Sequence, residues 1–316
     1  MMKEQLAQPV PAEDIRTEMA KLDHRILFEI GDYRAYLIPT PEAPLVMREL
    51  YRLREETFRA VGEGTGHTLD TDEFDAYYHQ MVLWSIPNRE IVGAYRLGFG
   101  PEIMKDHGGV SGFYTSTLYK YGEKAPSLLS KTMELGRSFI VQKYQREIQP
   151  LRMLLTGLGV ASLKYPEMEF FSGPVSISND IPHLYKSLMA DYIQKYFRMP
   201  DADQIATPMH SFVPDFGPLN PEDLNIPPGE IDELDITLKK LSEGKYRLPV
   251  LVRIYFECGA RLVCFEVDPY FNNTLPGLIF LRYSDFPRNT TRSFLRGLPD
   301  ELQDAVWKRF YGEPRL

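Results

Sequence analysis

The apolar pattern along the chain changes period several times. RILFEIGDYRAYLIP (25–39) alternates about Gly31–Asp32 and predicts two strands joined by a tight turn. APLVMRELYRLREETFRAV (43–61) repeats at helical spacing, with Leu45, Leu50, Leu53 and Phe58 assigned to one apolar face. A weaker helical pattern covers 12–22, and the polar, glycine-rich stretch 62–76 is a loop. HQMVLWSI and EIVGAYRLGF flank a break at Pro87–Asn88 and form a second hairpin. After a loop-like stretch at 108–116 come a strand at 134–142, a helix at 149–164, a strand at 169–178 and a helix at 182–198. Proline, aspartate and asparagine then become frequent over 200–247, the signature of an insertion or linker, with room for a short helix at 230–242. LPVLVRIYFEC (248–258) reads as a helix, and ARLVCFEV and GLIFLRY as strands that return to the first sheet. This order predicts an α/β (α+β) fold, one sheet with helices on its faces. We expect a single domain over 1–316, with a core at about 24–200, an insertion at 200–247 and a C-terminal extension at 248–316.

Composition narrows the function classes. A net charge of -8 argues against a general nucleic-acid binder, which presents a basic face. No apolar run approaches the roughly 18 residues of a membrane span, and the N-terminal stretch lacks the apolar centre of a secretion signal. The expected location is the cytoplasm, free or peripheral on the inner membrane. Cys258 and Cys264 form no metal-ligand pattern, so neither a structural metal nor a disulfide is expected.

Five charges stand inside apolar or structured segments: Asp72 and Asp75, Arg96, Glu134 and Arg137. A charge in a central strand is costly to bury unless paired, and these acids and arginines can pair with one another. Two readings follow. One is an ion-pair network that ties loops to the sheet. The other is a polar pocket with Glu134 as base and the arginines as anchors for an anionic group. In a regular strand Glu134 and Arg137 point to opposite faces, and a bulge at Gly136 would bring them together. His67 and Asp72 match the His-x4-Asp pattern of glycerolipid O-acyltransferases, but the phosphate motif that accompanies it is missing. There is no nucleophile elbow, P-loop or dinucleotide fingerprint. His79 reads as a core or rim histidine and His183 as a surface residue at a helix start.

REETF (54–58), DTDEFD (70–75), HQMVLW (79–84), IVGAYRL (91–97), GFYTS (112–116), ELGRSFI (134–140) and FSGPVSIS (171–178) occur in this order. Together they resemble the hemolysin-like GNAT-type acyltransferases, which include ornithine-lipid and glycine-lipid N-acyltransferases and share a skeleton with acyl-homoserine-lactone synthases. The resemblance covers about 45–200 and extends through PVLVRIYFECGARLV and DPYF. It implies a mixed, mostly antiparallel sheet. It places Arg54 and Phe58 on the family's Arg-x-x-x-Phe helix, Asp72 and Asp75 on its Asp-x-x-Asp, Arg96 on Gly-x-x-Arg-Leu, and Glu134 and Arg137 on Glu-x-x-Arg. The synthases' tryptophan after Phe58 is absent here, which favours the lipid-forming branch.

The resemblance further implies transfer of a long (3-hydroxy)acyl chain to the amine of glycine or ornithine. The segment QKYQREIQPL (142–151) lacks the glycine turn that meets a CoA pyrophosphate. The expected donor is therefore the acyl-phosphopantetheine of an acyl carrier protein, with acyl-CoA as the other candidate, and no cofactor is bound. Lys143, Arg146 and Arg152 are the expected docking residues for the acidic carrier. Trp84, Phe113 and Phe139 are expected to line the acyl tunnel. The alternatives are a lysophospholipid-type O-acyltransferase and an inactive carrier- or lipid-binding protein of the same fold.

Overall fold

Strand β3 (His79–Ser85) shows how the layers are built. Met81 and Leu83 enter the core on one side of it, Val82 and Trp84 the core on the other, the alternation of a strand covered on both faces. The computed structural model describes residues 4–315; residues 1–3 and 316, part of the expected domain span, lie outside the described residues. The main sheet also contains β1 (Ile26–Ile30), β2 (Tyr33–Pro39), β4 (Glu90–Phe99), β6 (Thr132–Ile140), β7 (Phe170–Ile177), β9 (Arg261–Phe265) and β10 (Leu275–Arg282). Its order is β1-β2-β3-β4-β6-β7-β10-β9, and β5 (Tyr119–Tyr121) pairs with β8 (Ala206–Pro208) in a separate ribbon. Neighbours in the main sheet run antiparallel except β6 and β7, which are parallel. The C-terminal strands thus return to the sheet as expected.

Helices cover both faces. On one side lie α1 (Ala12–Met19) and α2 (Pro44–Ala60), with the short α3 (Gly100–Asp106), α4 (Ala125–Leu129) and α7 (Ala202–Ile205) further along. On the other lie α5 (Ile148–Ala161), α6 (His183–Tyr196), α8 (Ile231–Leu241), α9 (Val250–Glu257), α10 (Arg288–Leu295) and α11 (Asp300–Tyr311). The buried stripe of α2 is Val46, Met47, Leu50 and Tyr51, whereas Leu45, expected on it, faces solvent. Residues 200–247 do not hang apart as a linker. Ile231, Leu234 and Leu238 sit in the main core, and the Asp235 carboxylate accepts from the Leu248 amide at 2.8 Å. Three apolar residues at helical spacing are enough to seat an amphipathic helix whatever the surrounding composition. The pattern gave no sign of α3, α4, α10 or α11. The first two are shorter than a periodicity window, and the last two directly follow Pro287 and Pro299.

The feature that positions the site is the β6–β7 junction. Parallel pairing covers Thr132↔Phe170, Met133↔Phe171 and Glu134↔Ser172 only. Beyond it β6 stays with β4 as far as Ile140↔Gly93, and β7 stays with β10 as far as Ile177↔Leu275. The sheet therefore opens between Leu135 and Gly173.

Candidate active site

Residues from both faces of the sheet line one cavity of about 690 Å³ that passes through this opening. Its walls are apolar on the α5 side: Leu135, Leu155, Phe171, Ile254, Phe294 and Phe310. On the α2 side they include Phe58, Glu63, Tyr114, Arg137, Asp268 and Phe271. The volume falls in the usual range of small-molecule sites, about 300–1,000 Å³, and the shape suits a ligand with one long apolar arm and one polar end.

A bulge in β6 supplies the polar end. The register against β4 shifts between Ala94 and Arg96, so Arg137 and Ser138 oppose the single residue Tyr95. Arg137 itself takes a left-handed backbone, with φ of 50°. The expected bulge is present, one residue beyond Gly136, and it turns Arg137 to the side where Glu134 lies: both side chains meet Tyr114. Because the Val141 amide donates to the Val92 carbonyl at 2.9 Å, alternation turns the amide of Ile140 away from β4 and toward the opening.

Three arginines and three aspartates form one buried network behind Arg137. Arg54 donates from Nε to Asp70 Oδ2 at 3.0 Å and from Nη2 to Asp75 Oδ2 at 2.9 Å. Arg96 pairs with Asp72 at 2.5 Å and Asp75 at 3.3 Å. Arg137 donates from Nε to Asp70 Oδ1 at 3.2 Å, from Nη2 to Asp72 Oδ2 at 3.3 Å and from Nη1 to the Tyr114 hydroxyl at 3.1 Å. Burial pushes the Asp70 and Asp75 carboxyls up, but the guanidinium groups of Arg137 and Arg54, and of Arg54 and Arg96, outweigh it and hold both below the usual carboxylate range. Nε and Nη2 of Arg96 have no hydrogen-bond partner among the described residues. The rings of Tyr78 and Tyr114, 5.3 and 4.9 Å from its guanidinium carbon, lie against it instead. The rings of Tyr114 and Phe271 lie against Arg137 in the same way, at 4.8 and 5.2 Å.

The network corrects several expectations. Arg54 is fully buried and does not reach the cavity; it braces Asp70 and Asp75. Arg96, Asp72 and Asp75 likewise stand behind the cavity wall, and Arg137 alone of this network lines it. Glu134 is absent from that wall. Its carboxylate accepts from the Tyr78 and Thr115 hydroxyls and from the Tyr114 and Thr115 amides, both at 3.1 Å. Burial raises its pKa, an effect that the hydrogen bonds from Thr115 and Tyr78 only partly offset. The three donors from Tyr114 and Thr115 pin the 113–115 turn to the sheet.

Of the three expected tunnel residues Phe139 lines the cavity, while Trp84 and Phe113 do not; Phe58, placed by the resemblance on the Arg-x-x-x-Phe helix, lines it as well. Strand parity turns Trp84 toward α2, and Phe113 packs beside Ile103 and Leu129. His67 and Asp72 do not meet: His67 is exposed beside Glu4, and Asp72 is taken by the arginines. His79 is driven down to about 4 by burial and by Lys164. Of the expected docking residues, Lys143 is exposed and paired with Glu90, and Arg152 is turned to the carbonyls of Ser293 and Arg296. Arg146 is exposed at the cavity rim. Tyr78, Tyr114, Asp70, Asp268 and Phe271 went unremarked as site residues although Asp70, Tyr114 and the DPYF pair lie in the motifs quoted above; aromatic and loop residues carry no periodic signal.

Residues 53–155 match the family described as Acetyltransferase (GNAT) domain. That span runs from α2 through the bulged strand into α5. A protein of Bacteroides thetaiotaomicron named Glycine N(alpha)-acyltransferase is 31% identical over 221 residues, 66% of this chain and 65% of that protein. Its namesake from Phocaeicola vulgatus is 31% identical over 217 residues, 65% of this chain and 66% of its own length. The chain thus spans just under two thirds of the length of these curated relatives. A CoA-dependent acyl-homoserine lactone synthase solved with SAM and isopentyl-CoA is similar over 43% of this chain and 62% of its own, with 17% identity and a TM-score of 0.26, too slight to carry an argument. No described helix is long and apolar enough to cross a membrane.

Proposed function

We propose that this protein is an N-acyltransferase that moves a long acyl chain from a phosphopantetheine thioester to the α-amine of a small amino acid, glycine foremost. The observation that carries the proposal is the opening between β6 and β7. It is one cavity with a deep apolar half on the α5 side and Arg137 at its polar end. The names of the two curated relatives support glycine, and ornithine is the second acceptor to test.

In this reading the acyl chain lies among Leu155, Phe171, Ile254 and Phe294, and the thioester carbonyl meets the bulge. The amides of Ser138 and Ile140 stabilise the oxyanion of the tetrahedral intermediate. Arg137 uses three of its five N–H groups within the network, which leaves donors for the acceptor's carboxylate. Attack is direct, because neither cysteine suits covalent catalysis: burial pushes both thiols up to about 12. The donor is carried by an acyl carrier protein docked at Arg146, since the α5 entry has no glycine turn for a pyrophosphate. The product, an N-acyl amino acid, is a lipid precursor released at a membrane surface.

The test is to incubate the protein with 3-hydroxyacyl carrier protein or the matching acyl-CoA and an amino-acid mixture, and to search for N-acylated products by mass spectrometry. One dominant N-acyl amino acid is the expected result. No product with either donor would sink the proposal. Faster turnover with acyl-CoA would remove the carrier protein from it.

A further inference from the structure

Direct attack needs a group that takes a proton from the acceptor's ammonium, and Glu134 is both outside the cavity wall and saturated with donors. No histidine lines the cavity among the described residues, and three carboxylates do: Glu63, Glu147 and Asp268. Asp268 Oδ1 accepts from the Tyr270 and Phe271 amides at 2.9 and 3.2 Å and so holds its own loop. Glu147 accepts from the Tyr33 hydroxyl at 3.0 Å, beside the α5 entry. We propose that Glu63 is the general base, and that it and Arg137 together select an α-amino acid by its ammonium and its carboxylate. This rests on the N-acyltransferase reading above.

The placement of Glu63 supports the role. It follows the last turn of α2, with its amide donating to the Phe58 carbonyl at 2.9 Å. The Phe58 ring meets Phe271 edge-on at 5.6 Å, and Phe271 lies against Arg137. Glu63 therefore stands on the Arg137 side of the opening. The two residues before it are tied to the β7–β10 bank: the Ser178 hydroxyl, just past β7, donates to the Val61 carbonyl at 3.2 Å, and Asn272 Nδ2, in the loop before β10, to the Gly62 carbonyl at 2.6 Å. The carboxylate is held at the mouth, partly shielded, and no described residue donates to it or pairs with it. Burial, helped by the nearby Asp180, lifts it to about 7, the range in which a base works best near neutral pH. Of the other charges around it, Arg59 of α2 is occupied by Glu55, and Arg137 and Asp268 line the same cavity.

The protons balance. Ionised Glu63 takes one proton from the ammonium, and the amine nitrogen bonds to the thioester carbon. The tetrahedral intermediate collapses, the C–S bond breaks, and a second proton goes from nitrogen to the leaving thiolate. The third stays on the amide, and Glu63 releases its own to solvent.

The test is Glu63→Gln beside wild type, with kcat measured from about pH 6 to 10. Glu63 has no partner to lose, and its raised pKa means that its charge is held at a cost to the fold, so the variant unfolds no earlier than wild type and keeps its affinity for the acyl donor. Expected is a kcat loss of about 10²–10⁴-fold at pH 7. That deficit should shrink as pH approaches about 10, where a growing share of the acceptor is already free amine. Wild-type turnover should rise through about pH 7 as Glu63 ionises, and the variant should lack that limb. Equal turnover by wild type and variant, or a deficit that stays constant with pH, overturns the assignment of Glu63 while leaving N-acyl transfer standing. A pH-dependent deficit in Glu134→Gln but not in Glu63→Gln returns the role to Glu134. No N-acyl product from wild type removes the reaction and Glu63's role together.

Discussion

Gly173→Ala puts a methyl group at the point where β7 leaves β6. An ideal Cβ there stands 2.1 Å from the Leu135 carbonyl oxygen and 3.1 Å from its carbon, against 3.4 Å for ordinary contact. Relief demands a movement of about 1.3 Å, and both obstacles are backbone of a buried strand that cannot swing aside. Overpacking a well-packed core costs about 1–3 kcal/mol, and a backbone obstacle places this case near the upper end. The loss of unfolded-chain freedom on replacing glycine returns about 0.4–1 kcal/mol. The net is a destabilisation of about 2 kcal/mol, or a fall of about 4–8 °C in Tm for a chain of a few hundred residues. Thermal unfolding followed by circular dichroism measures it, with Gly159→Ala as control. Gly159 sits in α5, where a Cβ meets only Val306 Cγ1 at 3.4 Å, so alanine there should be neutral or stabilise by up to about 1 kcal/mol. The displaced strand should also weaken acyl-donor binding, because the same junction bounds the cavity. If Gly173→Ala unfolds with wild type, or if Gly159→Ala falls as far, close strand approach is not what seats the opening.

Arg54→Met removes a guanidinium shared by Asp70 and Asp75 and should cost about 3–5 kcal/mol in urea denaturation; a cost below about 1 kcal/mol would contradict a network braced by Arg54. Asp70 and Asp75 have folded pKa values below their unfolded ones, because the arginines outweigh burial. The stability they contribute is therefore complete above about pH 4 and is lost as the pH falls below it. Denaturation between about pH 5 and 2 should show that decline in wild type and a shallower one in Asp70→Asn. Leu155→Trp fills part of the apolar half of the cavity and should shift the preferred donor to shorter chains in a competition among acyl lengths; an unchanged profile would place the chain elsewhere. Trp84→Ala and Phe113→Ala should each cost about 3–5 kcal/mol of stability and leave that profile as it is.

The strands and long helices were legible wherever one period ran for a whole element. The hairpins at 25–39 and 79–99, the strands at 132–140 and 170–177 and the helix at 44–60 all stand within two residues of their expected bounds. The charged cluster was legible too, because charges inside apolar strands have few places to go unless they pair. Even the bulge announced itself, through two charges three residues apart in a strand with glycine between them.

Which of those charges meets the cavity was beyond sequence reasoning. Arg54, Arg96 and Arg137 look alike in the chain, yet a single left-handed residue in β6 sends Arg137 to the opening and leaves the other two behind the wall. Trp84 and Phe139 are equally aromatic, and strand parity beside the bulge decides that only Phe139 lines the cavity. Glu63 lies in a polar, glycine-rich loop with no period at all. Its raised pKa comes from burial and from the charge of Asp180, 117 positions away, and the residues before it are tied across to Ser178 and Asn272. Periodicity records how a residue faces its own element. The opening of a sheet, and the acidity of a carboxylate at its mouth, depend on what distant segments bring to that place, and only the folded chain sets those distances.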